Sequence, residues 1–518
     1  MTSSQMLMPA RTQMLVAAVL TVSLAVGCGG SNPEPKSTGS RLAEAGTAAK
    51  QEKSPVVNSN SLPTFPHPAD EQQRTVQQER TLDELFEQAG QQTFEEAPMI
   101  LAANNSTMPV IDEERVAASG IRKLVGKHLI LYTDLPETPA IEELPEVFDA
   151  AIPQWSEYFG VDATAVESWQ QVGYLMQDKT RFVTSGLLPN DLPPFLHGFQ
   201  RGSELWLYEQ PSDYYRRHLL LHEGTHGFMK RFLGGAGPPW YMEGTAELFG
   251  THRWQNKQLT LRWFPEGKEL SSFWGRIKVV QDDYRGGAGK AIEDILRYDK
   301  TAHLQVEPYA WCWALVAFFD SHPDYRDRFR NFRKFAPDDT FSFSQRFYDS
   351  FQDDWPSIAR QWHVYIANMD YGFDVAREAI DTKFVDELPI GGATVTIAAD
   401  RGWQSTGIRL EAGLKYKLEA TGRYQIADQP KIWWCEPNGV TIRYHKGLPL
   451  GVLLGAIVDE SAADGGAIPL VTPKEIGMGG EFPIEAGGTL YLRINDSPAE
   501  LDDNAGSLEV RITKVPAG

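Results

Sequence analysis

The rhythm of apolar and polar positions changes three times along the chain. Residues 14–27 read MLVAAVLTVSLAVG, an unbroken apolar run behind Arg11. It has the length of a signal-peptide core and is too short for a membrane span. Residues 28–75 are rich in Ser, Pro, Gln, Lys and Glu with few large apolar side chains, the composition of a disordered tether. From 76 to 385 the pattern is mixed. TLDELFEQAGQQ (81–92) places Thr81 and Glu84 at capping-box spacing and predicts a helix. GKHLILYTDLP (126–136) alternates like a strand that stops at Pro136, and VGYLMQD (172–178) and ELWLYEQ (204–210) predict two more. In 141–160, Leu144, Phe148, Ile152 and Trp155 recur at helical spacing, with Pro145 and Pro153 to be accommodated. From 386 to 518 glycine is frequent and short β-runs alternate with turns: ATVTIA, YKLEATG, GTLYLRIN, SLEVRIT. The expected fold is multidomain, an α+β domain followed by an all-β sandwich.

One stretch breaks the apolar pattern of its own helix. HLLLHEGTHGFM (218–229) carries His218, His222 and His226 at four-residue spacing. Residues i and i+4 lie one above the other on a helix, so His222 and His226 can aim at one point. Glu223 sits beside the first of them, where a general base is needed. This is the H-E-x-x-H arrangement, which suits Zn²⁺. A catalytic zinc takes a third protein ligand. LGGAGPPWYMEGTAELFG (233–250) offers one: a Gly/Pro connection, Pro239 to open a second helix, then Glu243 and Glu247 on one face of it. Glu247 is placed to accept the free N–H of a ligand histidine, or is an ordinary surface charge. His218 reads as a bystander. Gly224, costly inside a helix, points to close packing near the metal. The run 259–291 alternates aromatic and basic residues; it lines a substrate cleft or is core plus a solvated face.

Composition narrows the setting. The 518-residue chain carries a formal charge of −20 and a pI near 5.1, which disfavours nucleic acid and docking to membranes through a basic patch. Three cysteines exclude a disulfide scaffold. Cys28 follows the apolar run and small residues, as in a bacterial lipobox, so lipidation at Cys28 is expected; the alternative is a plain signal peptide cut near Gly27. Either way the chain is expected to be extracytoplasmic, and with Cys28 lipidated it would touch the membrane only through that anchor. Cys312, in an apolar helix three residues past Tyr309, reads as inert core.

HEGTH followed by WYMEGTAELF resembles the gluzincin metallopeptidases, most nearly their peptidase-MA-like members. The resemblance spans roughly 120–380. It implies a zincin-like catalytic domain in which Glu243 is the third zinc ligand. Glu247 stands where the thermolysin branch has an acidic residue. Tyr309, in EPYAWCWALVAFF (307–319), would stabilise the oxyanion, or is simple core packing. The implied activity is hydrolysis of a peptide or protein substrate through a zinc-held water activated by Glu223. No G-x-M-E-N run for free amino termini is present.

In the β part, Asp496, Asp503 and Asn504 crowd one loop between two strands, and hard oxygen ligands suit Ca²⁺. The stretch 488–512 resembles the bacterial calcium-dependent galactose-binding lectins. By that resemblance those three residues bind calcium, with a backbone carbonyl from Glu500, and His445 is a candidate sugar contact. The alternative is an Asx-turn loop without an ion. Two rival functions stay open at this point: a non-catalytic surface lipoprotein binding envelope glycans, and a zinc amide hydrolase on a non-peptide substrate.

Overall fold

The computed structural model describes residues 108–299, 305–383, 385–462 and 466–516. The apolar run, Cys28, the tether and the helix expected over 81–92 lie outside the described residues. Among the described residues no helix is long and apolar enough to cross a membrane. The architecture of the described residues is mixed α+β, with a β-rich C-terminal part and no closed barrel among them.

A five-stranded sheet opens the helical part, in the order Arg122–Val125, Leu129–Thr133, Gln171–Met176, Glu204–Tyr208, Gly198–Arg201. The three inner strands run parallel, and Gln171–Met176 is buried at every residue, as a strand covered on both faces must be. Gly198–Arg201 pairs antiparallel and forms one edge. The strand expected over 126–136 is shorter, Leu129–Thr133, and a second strand precedes it. The helix expected over 141–160 is two. Pro139–Glu142 stops at Glu143, and Leu144–Phe159 begins with a proline in its first turn and ends on Gly160 in the left-handed conformation.

Three helices frame the site. Asp213–Phe232 is capped by Ser212, whose hydroxyl accepts from Tyr215 N (3.1 Å), and carries Lys230 and Arg231 in its last turn. Pro239–Gly250 has its proline at the first turn, as expected. Val306–Ser321 is apolar all round and its central residues are buried. Two glycines let these helices approach. A Cβ on Gly224 would lie 2.6 Å from Phe148 and 2.8 Å from Trp155; the close packing is real, but against the aromatic helix behind the site rather than toward His222, His226 and Glu243. A Cβ on Gly244 would lie 2.5 Å from the carbonyl oxygen of Cys312, so the second and third helices touch backbone to backbone there. Cys312 is buried core. In the run 259–291 Trp274 is core and packs edge-on against Trp313 (4.7 Å), Phe264 packs against the same ring at a tilt (5.3 Å), and Phe273 is exposed. Within that run, Arg276 is the residue that reaches the cleft.

The C-terminal part holds a sheet built mainly on Asn438–His445, Leu448–Val458, Gly488–Ile494 and Gln404–Leu410. A four-stranded sheet pairs Gly479–Pro483, Lys415–Thr421, Ser507–Lys514 and Ala393–Ala398. Lys415–Thr421 alternates strictly exposed and buried, and its buried residues share one core with Leu490, Leu492 and Ile494 of the other sheet. A further buried cluster joins Val364 of the last long helix to Trp403, Val452 and Tyr491. Beside it Arg493 clasps Glu378 with two bonds of 3.0 and 2.8 Å, both side chains buried.

Candidate metal centre

His222 and His226 leave the same face of the first helix one turn apart. Their Nε2 atoms stand 3.1 Å from each other. The Glu243 Oε2 atom, arriving from the second helix, is 3.2 Å from His222 Nε2 and 3.4 Å from His226 Nε2. Zn–N bonds of about 2.0–2.1 Å in a tetrahedron set ligand atoms about 3.3–3.4 Å apart. The triangle therefore has the size of one face of a zinc tetrahedron. Glu243 Oε2 is buried and accepts no well-formed hydrogen bond. Burial opposes charge on His222, but the carboxylates of Glu243 and Glu247 outweigh it and hold the imidazole up at about 10; burial drives His226 down to about 4. Burial also opposes the Glu243 carboxylate, yet the two histidines hold it well below the ordinary range. A positive charge is thus favoured where the three atoms meet. A divalent cation held by two neutral imidazoles and a carboxylate meets the same demand with every ligand atom facing it.

Glu247 lies behind this triangle. Its Oε1 is 3.3 Å from His222 Nδ1 and 3.4 Å from His218 Nε2. Arg276 holds both of its oxygens, through Nε (2.9 Å to Oε2) and Nη2 (3.1 Å to Oε1). Burial works against this carboxylate, but Arg276 keeps it well below the ordinary range. Among the described residues, His, Cys, Asp and Glu atoms converge in threes twice: His222, His226 and Glu243, and His218, His222 and Glu247. The guanidinium on Glu247 makes the second group a hydrogen-bond chain that orients His222 rather than a cation cage. His218 is packed under Gly250, whose Cβ would lie 2.6 Å from the ring.

Glu223 is buried in the same cleft. Burial, with Glu243 and Glu247 adding to it, pushes its carboxyl up to about 7. The edge strand passes directly over it: a Cβ at Gly198 would lie 2.4 Å from Glu223 Oε1, so a larger residue there would displace the Glu223 carboxylate. Tyr309 lines the cleft from the third helix. Its ring is 5.9 Å from that of His222, and the Arg276 guanidinium lies 5.5 Å from its centroid. Burial and the nearby carboxylates drive the phenol pKa far up, so Tyr309 stays a donor. The cleft has a volume of about 220 Å³ and brings together His222, Glu223, His226, Glu243, Glu247 and Tyr309 with Arg276 and Lys230. The last two escaped sequence reading. Lys230 could have been found by carrying the four-residue histidine register one step further; Arg276 carries no local signal.

The second expected ion site is assembled differently. Asp496 Oδ2 accepts from Asn504 Nδ2 (3.0 Å) and its Oδ1 from Ser497 N (2.7 Å). Burial pushes the Asp496 carboxyl up to about 7. Asp503 Oδ1 and Asn504 Oδ1 are buried without hydrogen-bond partners. Glu500 is held by Arg443 (2.6 and 2.7 Å). His445 is half-buried at a strand end, where its carbonyl accepts from Asn495 Nδ2 (3.1 Å).

No protein-family model matches the chain, and no curated protein matches it. Among solved structures, the N-terminal domain of EclA, described as a PllA-like lectin, aligns at 20% identity over 24% of this chain and 95% of that domain, with a TM-score of 0.18. The likeness is partial and weak.

Proposed function

We propose that the chain is an extracytoplasmic zinc metallopeptidase of gluzincin type, anchored through Cys28 and carrying a lectin-like calcium-binding β-sandwich. The observation that carries the reading is the meeting of His222 Nε2, His226 Nε2 and Glu243 Oε2 within 3.1–3.4 Å, beside a buried glutamate. Zinc, when bound there, supplies a Lewis acid that polarises a carbonyl and acidifies water.

The chain's own residues do the rest. The edge strand Gly198–Arg201 offers unpaired backbone groups along the cleft, so an extended peptide can add to the sheet. Glycine at 198 lets the edge strand itself lie close against Glu223. Glu223, in a cleft that keeps its carboxyl near neutral strength, takes the proton of the attacking water and returns it to the leaving amine. Tyr309 donates its hydroxyl to the developing oxyanion, a contribution of about 3 kcal/mol when well placed. Arg276 steadies both sides of this arrangement, gripping Glu247 behind His222 and stacking on Tyr309.

In the β part, the orphaned oxygens of Asp503 and Asn504 beside the Asp496 carboxylate support a Ca²⁺ site, with an envelope glycan as the partner. The test of the peptidase reading is cleavage of a quenched-peptide library by zinc-loaded protein, with Glu223→Gln as control. Cleavage by wild type alone supports it. Equal cleavage by both proteins, or none by either, rejects it.

A further inference from the structure

The four-residue register of the histidine face continues beyond the metal ligands. His218, His222, His226 and Lys230 follow one another at i, i+4 spacing and all line the cleft. Each step rises about 6 Å along the helix. Lys230 therefore stands one turn past His226, on the side where the helix faces the edge strand. Its Nζ donates to Gln200 Oε1 of that strand (2.8 Å). An ammonium has three donors. Gln200 is neutral, and among the described residues Lys230 has no carboxylate at ion-pair distance.

The other cation of the cleft, Arg276, is paired with Glu247 through two hydrogen bonds. Lys230 is thus a half-buried charge whose hydrogen-bond partner is neutral and whose donors are not all used; the cleft carboxylates Glu223 and Glu243 act on it only from beyond ion-pair distance. Removing an ammonium from water with no counter-ion in direct contact is costly. A substrate anion seated between helix and edge strand would remove that cost. It would also be recognised against a protein whose formal charge is −20.

We infer that Lys230 forms an anion subsite, and that the favoured substrate carries a carboxylate one helical turn beyond the metal-binding triangle. This rests on the metallopeptidase reading. The carboxylate is an acidic side chain or a chain terminus, and the chemistry of recognition is the same. Lys230 acts here on specificity, not on the reacting bond.

Three hydroxamates of one scaffold separate the outcomes: malonyl hydroxamate coupled to alanine amide, to free alanine, and to aspartic acid α-amide. The first is neutral beyond the metal-binding group, the second ends in a carboxylate, and the third carries one on a side chain. Calorimetry on zinc-loaded wild type, Lys230→Gln and Lys230→Glu reads their affinities, and zinc content and circular dichroism check that the variants fold. The expected result is that one acid binds wild type about tenfold more tightly than the neutral amide, as a charge-assisted hydrogen bond provides. Which acid gains identifies the source of the carboxylate. Lys230→Gln should erase the gain while leaving the neutral amide unchanged, and Lys230→Glu should invert it. Equal binding of all three to wild type overturns the inference. So does a gain that survives in Lys230→Gln, or a loss spread equally over all three ligands, which would mean that Lys230 acts only through Glu223. If no hydroxamate binds wild type, the zinc reading fails and this inference falls with it.

Discussion

The histidine helix and the loop Asp496–Asn504 were both expected to hold a cation, and the structure builds them on different principles. On the helix, three ligand atoms from two rigid elements point at one spot and leave Glu243 Oε2 without a hydrogen-bonded partner. In the loop, Asp496 already satisfies itself with Asn504 and Ser497 N–H, and only Asp503 Oδ1 and Asn504 Oδ1 remain orphaned. The helical site is preorganised, and its electrostatics call for a positive charge. The loop site can stand by its own hydrogen bonds and must exchange one of them to take an ion. A hard, flexible oxygen cage tolerates such exchange, whereas a three-ligand zinc site does not.

The comparison can be pressed at four points. The largest effect belongs to Glu223→Gln, which should keep its zinc and lose about 10³-fold in hydrolysis of any library peptide that wild type cleaves, read by single-turnover rates. Next, calcium at 100 times its dissociation constant should stabilise wild type by about 2.7 kcal/mol in a denaturant titration, and Asp496→Ala should remove that gain without touching zinc. Behind the triangle, Arg276→Met should loosen the hold of Glu247 on His222 and lower zinc affinity roughly 10–100-fold, read by chelator competition. Arg276→Lys restores the charge but not the two-pronged grip, so only part of the affinity should return. The smallest is Gly244→Ala. A methyl 2.5 Å from the Cys312 carbonyl forces the helices apart and should cost about 1–3 kcal/mol in thermal unfolding, with zinc still bound.

Much of the helical site could be read from spacing alone, because a helix turns sequence intervals into directions. His222, His226, Glu243 and Glu247 each follow from the i, i+4 rule once Pro239 marks the second helix. What escaped was set by tertiary contact. Gly198 gives no sign in sequence that its strand crosses over Glu223. Arg276 reaches Glu247 across 29 residues, hidden in a run where Trp274 is ordinary core and Phe264 packs against that core. Gly224 signalled close packing correctly, but its neighbours Phe148 and Trp155 come from a helix some 70 residues earlier, which no local pattern specifies. In the β part, alternation marked the strands well. The contact between Arg493 and Glu378, 115 residues apart, was invisible.

The measurement that bears most directly on the account is the zinc content of purified, metal-replete protein, beside Glu243→Ala and Glu223→Gln. The account predicts about one zinc per chain in wild type and in Glu223→Gln, and a sharp loss in Glu243→Ala. Absence of zinc from wild type, or full zinc in Glu243→Ala, would contradict it, and the histidine helix would then be a buried polar network with no metal chemistry to perform.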